Sequence, residues 1–165
     1  MRVNRYELNQ NEGIPCLVKG SGVNYPEEKN LDGPAKISNM MRKVFDADKK
    51  AEEHVWLLSM DSKMKLLGIL EVSHGTVNTA SVAPREIFIR LLLTGAASFV
   101  LVHNHVSGCV EPSKEDVETT KRMSVVGALM NIPLMDHIII GGLNQFSFKN
   151  CLLYTSPSPR DLSTS

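Results

Sequence analysis

The chain has no run of apolar residues near the ~20 that a membrane-spanning helix needs, so no bilayer crossing by helices is expected. Cysteine is scarce. Cys16, Cys109 and Cys151 are odd in number and scattered, and the first residues show no secretory pattern, so the expectation is a reducing cytoplasm without a disulfide framework. Neither charge is in excess. Eighteen basic and eighteen acidic residues cancel, which removes the global field that draws a protein onto nucleic acid and leaves only local patches. There is also no internal repeat. What remains is an ordinary globular composition, 42% hydrophobic and 22% charged over 165 residues, enough for one domain whose core needs no staples.

Residues 1–30 hold few apolar positions and many Asn, Gly and Glu, and they read as an extended or loosely packed arm. The domain proper is expected over 31–149. Ile37, Met40, Met41, Val44 and Phe45 give the spacing of a buried helical stripe from Pro34 to about Phe45. Val55 to Met60 reads as a strand, 61–63 as a turn, and Lys65 to Val72 as the hairpin partner. Pro84 suits the first turn of a helix through Ile87, Leu91, Leu92 and Leu93, with Gly95 as its stop. A strand follows from about Ser98. Ser113 is a good N-cap for a helix carrying Val117, Met123, Val126, Leu129 and Met130 and ending near Ile132 and Pro133, before a short apolar strand from His137 to Ile140. This order describes an α/β sandwich, a mixed sheet flanked by helices.

The residues with chemistry to offer stand at the end of the Ser98 strand. His103 and His105 are two positions apart, so on a strand both imidazoles face one way and can grip one ion. A catalytic zinc takes three protein groups and leaves a position for water. Asp116 is the nearest third ligand, returned over the strand end by a loop containing Gly108 and Pro112.

The pattern H-x-H, seven residues, then S-x-x-D resembles the metal motif of the JAMM (MPN) metalloprotease family. Val102-His-Asn-His105 followed by Ser107-Gly108, and Asp136-His-Ile-Ile-Ile-Gly141, are similar to its RadC branch. So are Glu53-His-Val-Trp56, Glu71-Val-Ser-His-Gly-Thr76 and Pro84-Arg-Glu-Ile-Phe88. The likeness covers roughly residues 24 to 149. It implies a mostly antiparallel sheet in a JAB-like, cytidine-deaminase-like sandwich, a bacterial cytoplasmic protein, and Zn2+ held by His103, His105 and Asp116. It further implies Glu53 as the base that activates water, with Glu52 as the alternative, and Ser113 as a hydrogen-bond donor to the oxyanion or to the bound water. The implied reaction is hydrolysis of a peptide or isopeptide bond in a polypeptide of unknown identity, by a protein of unknown oligomeric state. The DNA-repair name attached to the RadC branch is a label more than a mechanism.

Each assignment has a duller rival. Ser113 and Asp116 also spell a capping box, and the two roles are compatible because a carboxylate has several lone pairs. Glu53 lies in a charge run that can be a solvated face. Asp136 and His137 read either as support for the ligands or as a turn before a strand. His74 reads as turn chemistry, and His54 points to the opposite strand face. Two departures from the family pattern stand in the loop: Val106 replaces a proline and Cys109 an acidic or amide residue. A thiol there is a competing soft ligand. The main alternative function is a non-catalytic MPN scaffold. An iron oxygenase triad and a nuclease, suggested only by the literal His-Asn-His, rank lower. Cys151 to Asp161 looks like an in-frame translation of a sequencing adapter, so 150–165 is expected to be a non-native or disordered tail.

Overall fold

The computed structural model describes residues 1–75 and 82–151. In chain order its elements are β1 (Arg2–Asn11), β2 (Ile14–Asn24), α1 (Pro34–Phe45), β3 (Glu53–Met60), β4 (Leu66–Gly75), α2 (Pro84–Thr94), β5 (Ser98–Asn104), α3 (Lys114–Leu129), β6 (Leu134–Gly141) and β7 (Asn144–Ser147). The strands form one sheet in the order β2-β1-β4-β3-β5-β6-β7. Its neighbours are antiparallel except for β1 with β4 and β5 with β6. This is the expected mixed, mostly antiparallel sheet flanked by helices. The adapter-like tail lies outside the described residues from 152 onward, as does Thr76.

β5 is central, and every one of its residues is buried. Alternation then sorts them by face. Val100 and Val102 join Trp56, Leu58, Ile138 and Ile140 under Ile37, Met40, Met41 and Phe45 of α1. Phe99 and Leu101 join Val55 and Leu57 under Ile87, Phe88 and Leu91 of α2 and Met123 of α3. Burying each such side chain stabilises by about 1.5–3 kcal/mol relative to exposure. The helix boundaries follow their punctuation: prolines open α1 and α2, and Gly95 closes α2 in the left-handed region at φ 66°.

The N-terminal segment is more ordered than a loose arm. β1 and β2 form a long hairpin, turned at Glu12 and Gly13 with φ of 49° and 82°, the two-residue turn whose twist suits paired strands. β1 joins the sheet through Arg5 opposite Ile69 and Tyr6 opposite Leu70, and Val3 is in the core. A side chain on Gly68 would put its Cβ 2.4 Å from the Tyr6 ring, so the glycine makes room for that join. The hairpin escaped the sequence reading because no residue of β2 is fully buried, leaving no apolar alternation to see. Two smaller differences also appear. β6 begins at Leu134 rather than His137, and Asn144–Ser147 adds a seventh strand after a tight turn at Gly142.

Candidate metal centre

His103 leaves β5 on the α2/α3 side, in line with Phe99 and Leu101, and is fully buried. β5 ends at Asn104, one residue before His105. The His105 amide nevertheless donates to the Ile140 carbonyl at 2.8 Å, so the ladder with β6 runs on and His105 stays on the face of His103. Asp116, 1% exposed, arrives from the first turn of α3. Its place is set by a reciprocal cap: Ser113 Oγ accepts from the Asp116 amide at 3.1 Å, and Asp116 Oδ2 accepts from the Ser113 amide at 2.8 Å.

These elements bring three side chains together. His103 Nε2 lies 3.3 Å from Asp116 Oδ1, His105 Nε2 lies 3.3 Å from Oδ2, and the two imidazole nitrogens are 2.9 Å apart. One ligand atom from each falls within 4.8 Å of the others, so the group can hold a metal ion. Capping and convergence on the histidines therefore coexist in Asp116. The chemistry of the donors fits a cation. The Cys109 carbonyl only accepts, so His105 Nδ1, 2.8 Å away, carries its hydrogen outward and leaves the Nε2 lone pair facing the group. Lewis bases aimed at one another in a buried place need positive charge between them, from a proton or a metal. Two nitrogens and a carboxylate suit a borderline divalent ion.

The electrostatics agree. Burial alone would raise the Asp116 carboxyl, but the positive charge that the His103 and His105 imidazoles hold toward it when protonated, with the Ser113 amide, keeps it far below the usual carboxylate range. His105 is raised, first by its bond to Asp116, then against burial by the Cys109 carbonyl and the charge of Glu53. His137 is pushed well below an ordinary imidazole by burial, with the neighbouring His103 adding to it.

Glu53 opens β3. Val55 pairs with His103, so by alternation Glu53, two residues earlier on β3, belongs to the same sheet face, and its charge acts on His105. It is half-buried, whereas Glu52 is exposed and has the opposite parity. The Glu52 backbone is held by Asn104, whose Nδ2 donates to the Glu52 carbonyl at 3.0 Å while its Oδ1 accepts from the His54 amide at 2.7 Å. Sequence reasoning passed over Asn104. The signal was there, in an amide at the end of an otherwise apolar strand that must find partners when buried.

Asp136 and His137 divide between the faces. His137 Nε2 lies 2.9 Å from His103 Nδ1. Asp136 turns to the α1 side, where it accepts from Ser147 Oγ and the Lys149 amide. His54 stacks on Trp56 on that same side, and His74 is exposed beside Glu71. In the loop, Val106 is exposed and Cys109 contributes its carbonyl, its thiol standing outside the ligand group. The loop sits against β6 so closely that a Cβ on Gly141 would come within 2.5 Å of the Gly108 carbonyl oxygen.

A mixed sheet with helices on both faces, carrying a His, His, Asp group where its central strand meets the next helix, defines a JAB-type domain. The model of the RadC-like JAB domain matches residues 31–153. A UPF0758 protein of Caldanaerobacter subterraneus is 36% identical over 137 residues, covering 83% of this chain and 56% of that protein. Another, from Rubrobacter xylanophilus, is 35% identical over 149 residues, 82% of this chain and 64% of its own length. One from Desulforudis audaxviator reaches 44% over 95 residues, 58% of this chain and 41% of its own. The chain belongs to the RadC-like JAB domain family. It spans about half the length of these curated relatives. Among the described residues no helix is long and apolar enough to cross a membrane.

Proposed function

We propose that this protein is a zinc-dependent hydrolase of the JAMM type, cleaving a peptide or isopeptide bond of a polypeptide in the bacterial cytoplasm. The observation that carries the reading is the convergence of His103, His105 and Asp116 on one ligand group, and the charge of Glu53, which acts on His105, supports its role as the base. Zinc held by those three residues would supply a Lewis acid that makes water nucleophilic near neutral pH. Glu53 takes the proton of the attacking water and returns it to the leaving amine. Its half-buried position keeps it within electrostatic reach of His105 while leaving it open to substrate. Ser113 spends its lone pair on the Asp116 amide, so its hydroxyl hydrogen remains for the oxyanion that forms as the carbonyl is attacked.

The test separates metal from base. Purified wild type should carry one equivalent of zinc by elemental analysis, and Asp116→Ala should carry none. Glu53→Gln should retain zinc and lose roughly 10²–10⁴-fold in peptide cleavage. Absence of zinc from both wild type and Asp116→Ala would end the hydrolase reading.

A further inference from the structure

Behind His103 runs a line of buried hydrogen bonds that ends on α3. His103 Nδ1 faces His137 Nε2 at 2.9 Å, and His137 Nδ1 lies 2.6 Å from Thr120 Oγ1. Thr120 Oγ1 in turn lies 2.6 Å from the carbonyl oxygen of Asp116, one helical turn earlier. His103, His137 and Thr120 are each at most 2% exposed, so solvent does not supply alternative partners.

The direction of every bond follows from its last member. A carbonyl only accepts, and Thr120 has one hydroxyl hydrogen. If that hydrogen pointed to His137, two oxygens would face each other at 2.6 Å with nothing between them. It therefore goes to the Asp116 carbonyl. Thr120 must then accept from His137 Nδ1–H, which leaves His137 Nε2 bare to accept from His103 Nδ1–H. The lone pair of His103 is thereby placed on Nε2, the atom aimed at Asp116 and His105. Reversing the line would put a hydrogen on Nε2 and block that atom as a ligand.

We propose that Thr120, acting through His137, is a positioning residue that fixes the ring form and orientation of His103 and so sets the affinity of the site for its cation. The proposal rests on the reading of His103, His105 and Asp116 as metal ligands. It adds that α3 delivers both a ligand, Asp116, and, four residues later, the hydroxyl that prepares a second ligand across the sheet. Neither Thr120 nor His137 touches the ion, and neither is a catalytic residue.

Thr120→Val keeps the shape and deletes the hydroxyl, stranding the His137 N–H. Titration of the metal-free protein with zinc alone, against a chelator of known affinity, should show binding about 10–100-fold weaker than wild type. Thr120→Ser should bring affinity back to within about threefold, since it restores the same donor and acceptor. Ring-nitrogen resonances of the zinc-loaded wild type should place the His137 hydrogen on Nδ1. Equal zinc affinity in Thr120→Val and wild type, or a His137 hydrogen found on Nε2, overturns the proposal. A wild type that takes up no zinc refutes the metal reading beneath it, so the two failures are told apart. If Thr120→Val does not fold, the wild-type resonances and Thr120→Ser decide alone: weakened binding in the serine variant counts against the relay.

Discussion

The two faces of the sheet are built from alternate residues of the same strands and come to opposite ends. On the α1 face β5 contributes Val100 and Val102, which continue into an apolar cluster with Trp56 and Leu58, and buried Asp136 on that side is met by Ser147 and the Lys149 amide rather than by a ligand group. On the α2/α3 face the series Phe99, Leu101 continues to His103, and the apolar layer gives way to His137, Thr120 and Asp116, all buried. A buried polar group is tolerable only when its hydrogen-bonding capacity is used. The second face meets that demand with a line of bonds closed on a helix carbonyl and a carboxylate held by a cap. The lesson is that one face supplies cohesion and the other trades cohesion for a fixed set of donors and acceptors.

Substitutions on each side should separate those roles. Trp56→Ala, in the α1-side core, should cost about 3–5 kcal/mol of unfolding free energy in denaturant titrations. Zinc affinity should stay within about threefold, because the Trp56 side chain lies on the opposite sheet face from the ligands although its strand partner Val102 adjoins His103; a large loss of binding would show that the two faces are not separable. Next in size, Asp116→Asn keeps an acceptor for the Ser113 amide but removes the charge. It should weaken zinc by roughly 100-fold or more in chelator competition while leaving the start of α3 intact by circular dichroism.

Acidity gives a graded version of the same contrast. A protonated imidazole cannot bind metal, and His105 holds its proton more tightly than the ordinary 6.5 because of its bond to Asp116. Zinc affinity should therefore fall by about tenfold per pH unit as pH drops below the raised His105 value, and flatten above it. Affinity that is flat across pH 6.5 would contradict that assignment. The smallest effect belongs to Arg42, whose guanidinium ties α1 to the carbonyls of Gly142 and Asn144 at 3.0 and 2.7 Å. Arg42→Ala should cost about 1 kcal/mol by thermal melts and leave the metal centre unchanged.

Much of this division was legible in the chain. The spacing of His103, His105, Ser113 and Asp116 marked the ligand group, and the apolar stripe from Ile37 to Phe45 marked α1, because both are local patterns with a fixed period. The β1–β2 hairpin was not legible, since its strands are largely exposed and its attachment depends on Gly68 making room for Tyr6, a contact remote in sequence. The separate fates of Asp136 and His137 were also hidden. Adjacent residues on a strand face opposite ways, but which way is decided by the register with β5, where a shift falls between Phe99 and Val100. Thr120 offered no signal at all, because a hydroxyl within a helix matters here only for what lies across from it.

The carboxylate of Asp116 serves two masters at once, with Oδ2 shared between the Ser113 amide and His105. Drawing that oxygen toward a cation would tug on the opening turn of α3, so occupancy of the centre should be felt by the backbone. The amide of Ser113 thus becomes a built-in reporter: its rate of exchange with deuterated solvent should change on loading, giving a readout of the ion that needs neither a substrate nor a chromophore.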